Sequence, residues 1–69
     1  MAGLVKRSFS LTGHRTSVAL EPEFWSALRA LAAKRGQTLS GLVAAVDASR
    51  PPGRPLASEL RITALMARD

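Results

Sequence analysis

From Arg15 to Leu20 polar and apolar positions alternate: Thr16, Val18 and Leu20 share one face, and Arg15, Ser17 and Ala19 share the other. A period of two predicts a half-buried strand with a mostly polar outer face. Upstream, Arg7 to Leu11 alternates more loosely before Thr12-Gly13-His14 interrupts it, so this piece reads as an extended arm or a second strand. Glu21-Pro22-Glu23 opens a helix, because proline is preset for the first helical position and acids suit its positive end. Phe24, Ala27, Leu28 and Leu31 form its apolar stripe, with Trp25 and Ala32 on the flank and Ser26, Arg29 and Ala33 on the far side. Lys34-Arg35-Gly36 closes it. Thr38 then caps a second helix whose stripe is Leu39, Leu42, Val43 and Val46, with Ala44, Ala45 and Ala48 filling the rest. So little polar surface predicts that another element covers much of it. No regular element crosses Arg50-Pro51-Pro52-Gly53-Arg54-Pro55. Beyond it, Leu56 to Arg68 has helix-forming composition but an awkward pattern, Leu60 and Ala64 on one side and Ile62, Leu65 and Met66 largely opposite.

The chain thus divides into a basic N-terminal arm (1–14), a strand-helix-helix domain (15–50), a Pro/Gly linker (51–55) and a C-terminal helix (56–69). No internal repeat is apparent. One strand and two short helices close no core alone, and a lone strand leaves its backbone groups unpaired. Pairing it with its twin across a two-fold axis supplies the ladder and predicts an obligate homodimer. The expected dimer core is Val18, Leu20, Phe24, Trp25, Leu28, Leu31, Leu42 and Val46. The fold class is therefore mainly α, with one short strand per chain paired antiparallel across the dimer, plus the C-terminal helix.

Composition narrows the chemistry. The 69 residues include no cysteine and one histidine, His14, so neither disulfides nor a histidine-cysteine metal site can stabilise so small a body. Nor is there a nucleophile–base pair, so an enzyme is not expected, and no cofactor. Hydrophobic residues at 46% are too many for a disordered chain. Ten Lys and Arg against five Asp and Glu give a formal charge of +5. The excess gathers at the N-terminus, where Lys6, Arg7 and Arg15 precede the first acid, Glu21. Such density favours an anionic partner, nucleic acid above all. Membrane binding is not expected, since no basic amphipathic helix is present and the longest uncharged run, Gly36 to Val46, is too short to span a bilayer. Met1–Val5 is too short for a secretory signal, and cysteine-free composition suits a reducing cytoplasm.

In order along the chain, Arg7-Ser8, Gly13-His14-Arg15-Thr16-Ser17, Leu20-Glu21, Phe24-Trp25, Arg35-Gly36, Leu39-Ser40, Leu42-Val43 and the tail Leu56-x-Ser58-x-Leu60-Arg61 carry a resemblance. The pattern resembles the ribbon-helix-helix (MetJ/Arc-type) DNA-binding superfamily, and within it small bacterial ribbon-helix-helix proteins. The resemblance implies that two antiparallel strands enter the major groove with Arg15, Ser17 and Ala19 toward base edges. Physics agrees, since arginine can bind guanine bidentately, a hydroxyl can donate or accept, and a methyl can touch thymine. Ala19 departs from the pattern, many relatives being polar there. It further implies a phosphate grip at the start of the second helix by Thr38, Leu39 and Ser40, with Lys34 and Arg35 adding charge and Lys6 and Arg7 following the backbone as an arm. Each residue also has a plainer role: Thr38 is a helix cap regardless of DNA, Lys34 and Arg35 complement the helix dipole, His14 sits in a turn, and Phe24 and Trp25 belong to a core.

The expected function is a homodimeric DNA-binding protein, a transcriptional repressor of a bacterial operon that binds double-stranded DNA, with assembly beyond the dimer left open by the sequence. The alternative is a protein-interaction module, such as the dimerising part of an antitoxin, whose residues 56–69 hold a partner protein.

Overall fold

The computed structural model describes residues 3–67; positions 1 and 2 of the expected arm and 68 and 69 of the expected tail lie outside the described residues. Two strands, β1 (Val5–Leu11) and β2 (His14–Leu20), are followed by three helices, α1 (Pro22–Lys34), α2 (Leu39–Ser49) and α3 (Leu56–Met66).

The ladder expected from a twin chain is supplied within this one. β1 pairs antiparallel with β2 in a register running from Val5↔Leu20 through Ser8↔Ser17 to Leu11↔His14. The chain therefore carries two strands, and the segment before Gly13 is a strand rather than an arm. Two residues, Thr12 and Gly13, make the connection; Gly13 lies at φ 75 while Thr12 keeps a negative φ. That sequence of signs is the type II pattern, which needs glycine at its third position.

Alternation along both strands turns Phe9, Leu11, Val18 and Leu20 inward. They meet Trp25, Leu28, Leu31 and Ala32 of α1, Leu42, Val43 and Val46 of α2, and Leu60 and Ala64 of α3 in one apolar cluster. Leu20, Leu28, Leu42, Val43 and Leu60 are completely enclosed. Of the eight residues expected to form a dimer core, all but the half-buried Phe24 are buried inside this single subunit. The expectation of an open core underrated two pieces, β1 and α3, which together close it. α2 packs against β1 and α3 against β2.

Trp25 fixes the phase of α1. Its indole N–H donates to the Val5 carbonyl at 2.8 Å, and its ring lies 5.8 Å from that of Phe9. The buried stripe is accordingly centred on Trp25, Leu28 and Ala32, and Ala27, expected within it, is exposed. α1 ends in a Schellman closure: the Gly36 and Gln37 amides donate to the Ala33 and Ala32 carbonyls. On α2, Ala44, Ala45 and Ala48 are exposed, so the cover expected over them is not provided by this subunit.

The proline-rich linker is an ordered turn. The Arg54 amide donates to the Pro51 carbonyl at 3.2 Å, with Pro52 and Gly53 (φ 83) between them, each suited to its place in a type II turn. The Arg50 guanidinium bridges the Asp47 carboxylate and the Arg54 carbonyl across it. α3 is thereby folded back so that Leu60 and Ala64 enter the core, while Ile62, Leu65 and Met66 face outward. Arg61 secures it: its guanidinium lies over the Phe24 ring and bonds Glu21 at 3.1 Å.

Trp25→Phe keeps the ring and deletes the donor to Val5. It should lower stability by about 1 kcal/mol, read as an earlier urea midpoint at unchanged slope, with faster amide exchange across β1. Acid should loosen the α3 anchor. The Glu21 carboxyl is held below its ordinary range chiefly by a backbone hydrogen bond, against an opposing effect of desolvation, with the hydrogen bond and charge of Arg61 lowering it further. A carboxyl depressed in the folded state contributes stability above its unfolded value and loses it as pH falls through the folded one. Urea midpoints should therefore drop on acidification through the carboxylate range, and drop less in Arg61→Ala.

Candidate nucleic-acid interface

The hairpin that buries one face must expose the other. Register pairs Lys6 with Ala19, Ser8 with Ser17 and Ser10 with Arg15 on that outer face. All are exposed except Ala19, which is half-buried. At the centre the Ser8 and Ser17 hydroxyls lie 3.2 Å apart, and Arg15 Nη1 donates to Ser10 Oγ at 3.3 Å. The three residues expected at base edges, Arg15, Ser17 and Ala19, thus do share one outward face. Lys6, expected as part of a backbone-tracking arm, stands on the same face. Ser8 and Ser10 join it too, and sequence reasoning missed them because the upstream strand's pairing was left open.

Arg7 takes a different place from the one expected. It is on the inner row opposite Val18, half-buried, with its guanidinium carbon 5.7 Å from the Trp25 ring centre and its Nε enclosed without a hydrogen-bond partner. Held this way it extends the Phe9–Trp25 stack and is no part of a loose arm.

The start of α2 makes a second patch. Thr38 caps the helix by accepting from the Gly41 amide at 2.9 Å. Under the helix rule the amides of Leu39 and Ser40 have no partner inside the helix. Thr38 and Ser40 are exposed, as are Lys34 and Arg35 just upstream. This end of α2 is electropositive, by the helix dipole and by the neighbouring cations.

Charge is divided between the two halves of the molecule. Three of the five acids are held by arginines of the helical half: Asp47 by Arg50 at 2.9 Å, Glu59 by Arg54 at 2.8 Å and Glu21 by Arg61 at 3.1 Å. The hairpin has no acid at all, and its outer face carries Lys6 and Arg15. Among the described residues no group of three or more His, Asp or Glu is placed to hold a metal ion, and no helix is long and apolar enough to cross a membrane. His14 sits at the turn, its Nδ1 3.0 Å from the Thr12 carbonyl.

A hairpin with a polar outer face, two helices beneath it and a capped second helix is a specific assembly, and a sequence model of the family described as Ribbon-helix-helix domain matches residues 4–67. The chain belongs to the ribbon-helix-helix family. The match leaves out only the first three and last two residues. No curated protein and no solved structure matches the chain. Ribbon-helix-helix domains in general form dimers, bind nucleic acid and are typically non-enzymatic.

Thr38→Ala removes the α2 cap and should cost about 1 kcal/mol in thermal or urea unfolding. Thr38→Ser and Thr38→Asp, which retain an acceptor oxygen, should stay close to the parent.

Proposed function

We propose that this ribbon-helix-helix protein is a DNA-binding transcriptional regulator of a bacterial operon, acting in the cytoplasm as a homodimer and assembling further along the duplex. The observation that carries this reading is the outer face of the hairpin: a solvated, acid-free ribbon with cations and hydroxyls, backed by a closed apolar core. A two-stranded ribbon is an element the major groove admits, and the groove is where each base pair shows a distinct pattern of donors and acceptors. Arg15, Ser17 and Ala19 meet base edges. Thr38, Leu39 and Ser40, helped by Lys34 and Arg35, take a phosphate and set the register. Occupying the promoter in this way represses by excluding the polymerase.

A second reading rests on α3. Ile62, Leu65 and Met66 are 39%, 57% and 77% exposed, so half of the two-sided tail remains uncovered after the helix has docked. On this reading residues 56–67 offer a protein partner an apolar face, as the DNA-binding half of an antitoxin would.

Two variants test the DNA reading. Arg15→Ala should weaken binding to a selected duplex by about 1–3 kcal/mol and relax base preference, the signature of a bidentate base contact. Thr38→Asp keeps the cap but sets a negative charge where a phosphate would approach. Its stability should match the parent while its affinity for every duplex falls, measured by fluorescence anisotropy at two salt concentrations. Unchanged affinity in both variants rejects the interface.

A further inference from the structure

Of the lysines and arginines on the two strands, Lys6, Arg7 and Arg15, only Arg7 lies on the inner row. Its guanidinium carbon stands 5.7 Å from the Trp25 ring centre, and its Nε is enclosed without an acceptor among the described residues. The two terminal nitrogens have no hydrogen-bonding partner there either, but unlike Nε they are not enclosed. No acid precedes Glu21 in the chain, and Glu21, Asp47 and Glu59 are each held by another arginine. An enclosed donor without an acceptor costs free energy on folding, so trapping Nε against the indole works against stability. A flat guanidinium on an aromatic face, with its outer edge open, is also the form of arginine ready to hold a phosphate through two parallel hydrogen bonds.

We infer that Arg7, laid on Trp25, is a preformed phosphate-binding site, and that the group it takes is a phosphate of the DNA backbone. This rests on the DNA-binding function proposed above. Arg7 is not the loose arm that the sequence suggests: the ring already fixes its guanidinium, so less side-chain freedom is left to lose when an anion arrives. Placement favours the DNA backbone as the source. Alternation turns Arg7 away from the row that holds its neighbours Lys6 and Ser8, so it reads no base edge. A contact that carries no sequence information is the kind made to phosphates, and it sets position. α2 packs against β1, the strand that bears Arg7, and the start of α2 is electropositive through its dipole, Lys34 and Arg35. Binding a phosphate neutralises the charge lying against the indole. Trp25 is the only tryptophan in the chain, so its emission reports whether the site is filled.

The parent chain, Arg7→Met and Arg7→Lys, titrated with duplex DNA and separately with inorganic phosphate at constant ionic strength, test this. Duplex binding should shift the parent's Trp25 emission. Arg7→Met should bind every duplex roughly tenfold more weakly, with base preference unchanged and the salt dependence flattened by about one contact. Arg7→Lys keeps the charge but not the flat stacked edge, and should recover only part of the loss. Methionine keeps an apolar stem against Trp25 and removes the enclosed donor, so Arg7→Met should unfold at a urea midpoint no lower than the parent's. If the parent and Arg7→Met bind duplexes equally, the inference is overturned and DNA binding stands. If Arg7→Met lowers the midpoint, and more so on dilution, the missing acceptor belongs to a second copy of this chain, which also overturns it. If inorganic phosphate shifts the emission and no duplex binds, the site takes a free phosphate, and the assignment to DNA falls. A parent that binds no duplex and responds to no phosphate removes the inference together with the function beneath it.

Discussion

β2 finds a backbone partner within its own chain: the groups on its edge toward β1 are paired along seven positions from Val5 to Leu11, while no strand of the described residues lies along its other edge. Pairing fixes which side chains turn inward, and those side chains decide how everything else packs. Phe9 and the Val5 carbonyl give Trp25 its place; Trp25 sets the rotation of α1; and α1 offers Leu28 and Leu31 to α2 and α3. Remove the pairing and the helices lose the surface on which they are arranged. The outer face is a consequence of the same ladder, since the residues not needed in the core are, by alternation, those left for a partner.

Much of this was legible in the sequence, and the parts that were not share a cause. The alternation through Arg15–Leu20, the Pro22 start, the Lys34-Arg35-Gly36 stop and the Thr38 cap are local signals, and each fell where the pattern placed it. The pairing of β1 is not local. Arg7 to Leu11 has a loose alternation because Arg7 occupies an inner position, and it can do so because Trp25, eighteen residues on, accepts its guanidinium. Without that contact in view, a cation on the inner row argues against a strand. The same blindness displaced the α1 stripe by one residue, toward Ala27, which no other element touches closely enough to bury.

The tail shows how a linker can decide an assembly question. Leu60 and Ala64 on one side and Ile62, Leu65 and Met66 on the other suggested a helix needing two partners. The turn through Pro51–Arg54, bridged by Arg50, folds α3 back so that one of the two is its own subunit. Arg61 then ties it to Phe24 and Glu21 at the start of α1. Since three arginines of the helical half are spent on carboxylates there, the surplus positive charge is displaced toward the hairpin side, where an anion would be met first.

Only Thr12 and Gly13 separate the two strands. A loop this short closes within microseconds, about 1–10 μs for a hairpin, and its closure is indifferent to how many copies of the chain are present. A ribbon assembled from two molecules must wait for an encounter, which becomes rare when the protein is scarce. Here the two strands are consecutive in one chain, so their pairing needs no encounter between molecules, and since an isolated two-stranded hairpin is marginal in water, it is the apolar core beneath that holds it.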